Sequence, residues 1–300
     1  MRFFSIPAGV IATVIINSSV LAANLQPPPA GIAVTVEQGD WGAARTPYIK
    51  AVLTLAANAL TPYFPQHASD KVLVAFSKRG PRVLFEKSKD GAYVVLLNVQ
   101  DQRWDQFVYQ FSHELCHIFT NGEYRKIGRD EVAQDNQWFE EGLCESVSIV
   151  ALNRVAAAWE HSPPYSGWES YAPAFREYAQ RLLSARHREL PVNRSFEEWY
   201  DENRETLKNN PYLREKDELF ATQLLPLLEN TPGSLQAIGY LNRQRSSSPE
   251  SFEAYLASWY DSCPESYRDF IGQVMSLIER RNRDGLPVVA LRGADKSSLH

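Results

Sequence analysis

The spacing of hydrophobic positions changes near residue 100, and with it the kind of element the chain predicts. Before that point, short runs of aliphatic and β-branched residues dominate. Residues 32–37 alternate apolar and polar, and residues 71–77, 82–87 and 92–98 read as short strands bounded by Gly80-Pro81 and Asp90-Gly91. One helix interrupts them at residues 47–63, with Ile49, Val52, Leu53, Leu55, Ala56 and Leu60 at helical spacing. From residue 101 the period lengthens: Trp104, Phe107, Val108, Phe111, Leu115 and Ile118 recur at three and four and predict a helix over residues 101–121. Further helices are predicted over residues 141–159, 171–186, 195–207, 215–229, 233–244, 251–262 and 265–282. The expected fold is α+β. A small mixed α/β lobe spans residues 24–136, a mostly helical lobe spans 137–293 with a cleft between the two, and a flexible tail covers 294–300.

Residues 1–23 read as a secretory signal. Arg2 provides the positive start, an apolar stretch runs from Phe3 to Val20, and Val20-Leu21-Ala22 places small residues for cleavage after Ala22 or Ala23. Pro7 and Asn17 interrupt the stretch, so stable membrane insertion after cleavage is not expected, and the chain reads as secreted or periplasmic. The net charge is −5, and removal of Arg2 with the leader makes it −6. That mild acidity, with no basic stripe, argues against a nucleic-acid partner. Three cysteines are too few for a disulfide scaffold.

The chemistry concentrates in His113-Glu114-Leu115-Cys116-His117. Histidines four apart lie one turn apart on one helical face, where both imidazoles can reach a single ion and Glu114 can hold a water against it. By rotation, His113 and His117 fall roughly opposite the apolar stripe, with Glu114 at its flank. Catalytic zinc takes three protein ligands and keeps one open position. Glu140, Glu141 and Glu145 offer carboxylates downstream; the bland alternatives are an exposed helix with two solvated histidines and a solvated acidic face.

Together with the histidine pair, Trp138-Phe139-Glu140-Glu141-Gly142 resembles the gluzincins, the zinc metallopeptidases that include thermolysin-like proteases and the membrane-alanyl aminopeptidase family. The resemblance covers about residues 90–150. It implies one Zn(2+) held by His113, His117 and Glu141, with Glu114 as general base in the hydrolysis of a peptide or protein substrate. Glu145, one turn after Glu141, would accept from the far nitrogen of a zinc-bound histidine. Glu140, which pairs at one turn with Cys144 rather than a carboxylate, is the second choice of ligand, and its replacement is expected to change metal binding little. The strand before the metal helix, Tyr93, Val94, Val95, Leu96 and Leu97, stands where these enzymes pair with extended substrate; an ordinary buried strand is the alternative. The 23 residues between His117 and Glu141 form a longer gap than in the aminopeptidases, absorbed by a loop over residues 121–136. Two other functions stay open: a catalytically inactive binding protein of gluzincin fold, and a zinc hydrolase acting on a non-peptide substrate. The oxyanion donor is not selected among Tyr165, Tyr171, Tyr178, Tyr212 and Tyr240. Cys116 and Cys144, each three residues after a proposed ligand, are expected on flanks of the two ligand helices that could face each other; a disulfide and two small buried thiols filling the seam are the alternatives.

Overall fold

The computed structural model describes residues 31–84, 86–122, 136–243 and 251–278. The expected signal segment, most of the 121–136 loop and the polar tail lie outside the described residues.

Four strands, β1 (Ala33–Val36), β2 (Lys71–Phe76), β3 (Arg82–Leu84) and β4 (Tyr93–Leu97), form one sheet in the order β1-β2-β4-β3. β1, β2 and β4 run parallel, and β3 is antiparallel to β4. Left-handed Gly80 and Gly91 (φ +96° and +75°) supply turn conformations that side-chain-bearing residues rarely adopt, one on each side of β3. Strand periodicity appears as burial: Val72 and Val74 on β2, and Tyr93, Val95 and Leu97 on β4, point into the core. Helix α1 (Thr46–Leu60) packs Ile49, Val52, Leu53, Ala56 and Leu60 into the same core.

β4 does not offer the free edge expected of a substrate-pairing strand. Val72–Phe76 of β2 pair with Tyr93–Leu97 on one side, and Arg82, Val83 and Leu84 of β3 pair with Leu96, Val95 and Val94 on the other. Backbone groups committed to two neighbours cannot accept a third strand. The edge on this side of the sheet belongs to β3.

Helix α2 (Trp104–Phe119) follows β4 at once. Gln110 locks the junction, accepting from the Asn98 amide at 2.9 Å and donating to its carbonyl at 3.4 Å. Although its stripe predicted one apolar face, α2 is buried nearly all round, Ser112, Glu114 and His117 included. The second face is covered by α3 (Gln137–His161), which also packs on α1, α4 (Ala172–Leu183) and α6 (Arg214–Asn230). The remaining helices are α5 (Phe196–Asn209), α7 (Ser234–Ile238), α8 (Phe252–Ser262) and α9 (Arg268–Ile278). The class is therefore α+β with a mostly helical part. The described residues, all from Gly31 onward, fall in one compact unit, and the boundary expected at residue 136 falls between two helices in contact.

The aromatic pair opening α3 orients the helix. Trp138 meets Tyr200, Phe220 and Phe252 at ring separations of 5.7, 5.1 and 4.8 Å, and Phe139 meets Phe220, Phe252 and Trp259 at 5.5, 5.2 and 5.8 Å. With these two rings committed to α5, α6 and α8, the next two positions turn toward α2. Gly142 then lets α6 close in: a Cβ there would stand 2.5 Å from Phe220 Cδ1 and 3.2 Å from the Asp217 carbonyl oxygen. α7 is shorter than its pattern predicted, giving way at Gly239 to a turn in which Asn242 is left-handed (φ +59°). No helix among the described residues is long and apolar enough to cross a membrane.

Candidate metal centre

Three ligand atoms converge between α2 and α3. His113 Nε2 lies 3.2 Å from Glu141 Oε2 and 3.2 Å from His117 Nε2, and His117 Nε2 lies 3.4 Å from the same carboxylate oxygen. A tetrahedral ion with bonds of about 2.0–2.1 Å separates its ligands by about 3.3–3.4 Å. The triangle therefore matches the ligand edge of such an ion, and the donor set of two imidazoles and one carboxylate fits it chemically. The three residues expected from the sequence to share a metal are brought together.

The protonation of His117 points the same way. Its far nitrogen, Nδ1, lies 2.7 Å from Glu140 Oε1, in a buried pair. A carboxylate accepts, so Nδ1 is the donor in this pair, and the neutral imidazole of that tautomer would turn its Nε2 lone pair toward the centre. Glu140 is wholly buried (0% exposed), and its other oxygen accepts from Asn242 Nδ2 at 2.8 Å. Glu140, the second choice of ligand from the sequence, thus stands behind His117, in the place where Glu145 was expected. On α3, Glu140, Glu141 and Cys144 fall within an arc of about 100° facing His117, while Glu145 lies about 40° beyond it. The Cys144 thiol sits 3.6 Å from His117 Nδ1. His117, Glu140 and Cys144 can be grouped as a second ligand set, but the short Nδ1 contact to Glu140 makes this a backing for the imidazole. Cys116, Cys144 and Cys263 are all buried and none is disulfide-bonded, so the bridge considered for the first two is not formed.

Glu145 is drawn elsewhere. Its Oε2 lies 3.8 Å from His113 Nδ1, beyond hydrogen-bonding reach. That oxygen accepts instead from the Tyr109 hydroxyl, and Oε1 accepts from Arg188. Arg188 is almost fully buried (1% exposed) and also lies 3.3 Å from Glu218, which pairs further with His187 and Arg214.

Burial and mutual charge set the proton affinities of the side chains at the centre. Burial pushes Glu114 up, against the opposing pull of His113 and His117 and a backbone hydrogen bond from Val83 on β3; the net shift is upward. Burial also pushes Glu141 up, but His117 and His113 outweigh it and hold that carboxyl well below its usual range. For His113, burial lowers the proton affinity while Glu141 raises it, and the net shift is upward. Two imidazoles and an ionised carboxylate thus compete for protons in a space that one dication would satisfy.

Among the tyrosines left open by the sequence, Tyr212 reaches the ligand set. Gln137 Nε2 donates to its hydroxyl at 2.8 Å and lies 3.4 Å from Glu141 Oε1. Tyr212 is 64% exposed. Tyr171 bonds Asp105, Tyr165 reaches the Pro47 carbonyl, and Tyr178 and Tyr240 pack against Tyr109 and Arg243. The residues that sequence reasoning missed, Asn242 and Arg188, carry no local signal, because each reaches the site across a long stretch of chain. No family model and no curated protein matches this chain.

Proposed function

We propose that the chain is a secreted or periplasmic zinc-dependent peptidase of gluzincin type, hydrolysing peptide bonds. One observation carries the reading: the triangle of His113, His117 and Glu141 at tetrahedral ligand spacing, with Glu114 buried on the adjoining position of the same helix. A zinc ion bound there would act as a Lewis acid and lower the pKa of a water toward ~7. Glu114 takes the proton from the attacking water and passes it to the leaving amine. Tyr212, free to turn at the surface and tied through Gln137 to Glu141, donates to the developing oxyanion. The outer edge of β3, whose Val83 amide bonds Glu114, is where an extended peptide can add by strand pairing, which favours a peptide over a compact substrate.

The test joins metal analysis to digestion of a peptide library. Purified protein should carry one zinc per chain and cleave peptides in a chelator-sensitive way. Glu114→Gln should keep the zinc and lose ~10²–10⁴-fold in rate. A zinc-loaded wild type inert on every peptide would leave the non-peptide hydrolase or the binding protein; a protein that takes up no metal would end the reading.

A further inference from the structure

The turn after α7 touches the proposed metal centre from outside, through one side chain. Asn242 Nδ2 donates to Glu140 Oε2 at 2.8 Å and to the Thr120 carbonyl, just past the end of α2, at 2.9 Å. Its Oδ1 accepts from the Tyr255 hydroxyl at 2.9 Å. The orientation is forced: a flipped amide would turn its oxygen toward two acceptors. The left-handed backbone at Asn242 is one that asparagine tolerates better than most residues. One amide thus joins the C-terminal end of the helix bearing His113 and His117, the carboxylate behind His117, and α8.

We propose that Asn242 is a positioning residue of the metal centre, acting through Glu140 to fix the tautomer and ring orientation of His117. The proposal rests on the metal reading for its effect on affinity but not for its effect on the imidazole. With both Asn242 donors engaged, Glu140 cannot rotate away from His117 Nδ1 without abandoning a buried hydrogen bond. A neighbouring contact supplies the control. Asn121 Nδ2 donates to the Gly239 and Leu241 carbonyls at 3.1 and 2.8 Å, so it holds the same turn against α2 without touching Glu140.

The experiment compares Asn242→Gly, which keeps the left-handed backbone and deletes the amide, with Asn121→Ala and Glu140→Gln. Zinc affinity is measured by competition with a chromophoric chelator, and the His117 ring by 15N shifts in the zinc-free protein at alkaline pH. Asn242→Gly should weaken zinc binding about 10-fold, within the range for partners behind a ligand, and move His117 away from a single Nδ1-protonated form. In the Glu140→Gln background the same substitution should add less than about 2-fold, because its route is already cut. Asn121→Ala should lower the melting temperature yet leave zinc affinity and the His117 shifts unchanged. Equal losses of affinity from Asn121→Ala and Asn242→Gly, or additivity with Glu140→Gln, would overturn the proposal. If wild type binds no zinc, the metal reading fails, and the zinc-free shifts of His117 alone decide this one: unchanged shifts in Asn242→Gly refute it.

Discussion

His113 and His117 stand one turn apart on one helix, yet their far nitrogens look into different surroundings. Behind His117 lies a chain of direct hydrogen bonds, Glu140 then Asn242 then Tyr255, in which Asn242 and Tyr255 contribute neutral groups. Behind His113 lies an ionic cluster in which Glu145 is claimed by Tyr109 and Arg188, and Arg188 is shared with Glu218. The first arrangement aims an imidazole; the second joins α3 to α6 and to the segment before α5. The difference is one of purpose. Neutral donors orient a ring at small desolvation cost, whereas buried ions cost several kcal/mol each to dehydrate and recover it only when every partner is present.

Breaking the ionic side should have the largest effect. Arg188→Met keeps the apolar stem but leaves Glu145 without its cation, and loss of one partner of a buried pair costs about 3–5 kcal/mol. Urea unfolding should show that loss while zinc affinity stays within a few-fold; affinity falling in step with stability would erase the distinction. The second contrast reverses the expectation from sequence. Glu140→Gln can accept from His117 or Asn242 but not from both, so zinc affinity should drop roughly 10–100-fold, while Glu145→Gln, 3.8 Å from His113, should cost less than about 3-fold. Isothermal titration of the two variants decides which histidine depends on its backing.

The smallest expected effect sharpens the ionic side further. Asp217 on α6 is 5% exposed, its Oδ1 has no hydrogen-bond partner, and burial, reinforced by Glu141, Glu218 and Glu145, pushes its carboxyl up to about 9. The folded metal-free protein then holds a proton that the unfolded chain releases near pH ~4, so this group's stabilising contribution is full below that pH and is lost as pH rises toward about 9. Asp217→Asn mimics the protonated form at every pH. Its melting temperature should match wild type near pH 4 and exceed it increasingly as pH rises toward about 9. Parallel curves would show that Asp217 is ionised in the fold.

Local pattern made most elements legible. The strand at residues 92–98 is β4 (Tyr93–Leu97), the helix at 101–121 is α2 (Trp104–Phe119), and that at 215–229 is α6 (Arg214–Asn230), because period and bounding turns are properties of adjacent residues. The helix expected over 233–244 stops at Ile238, since the left-handed Asn242 belongs to a turn set by contacts with Thr120 and Glu140. The grouping of His113, His117 and Glu141 was legible for the same reason as the helices: the histidines are helical neighbours, and Glu141 sits in a distinctive local run. Which carboxylate backs which histidine was not, because it depends on the rotation of α3, fixed by Trp138 and Phe139 against rings on α5, α6 and α8. Strand order was equally hidden: residues 93–97 could be a substrate-pairing strand or an ordinary buried one, and only the order β1-β2-β4-β3 shows that β3 holds the edge.

The enclosure of α2 bears on how the protein breathes. Regions that open to solvent on their own are those with few apolar contacts and exposed backbone bonds, and α2 has neither property. Its amides from Phe107 to Phe119 therefore exchange with solvent deuterium only through the global opening of the fold. The histidines ride on the last segment to let go, so an ion bound at the proposed centre would leave by exchange of its ligands, one bond at a time, while the helix that carries them stays whole.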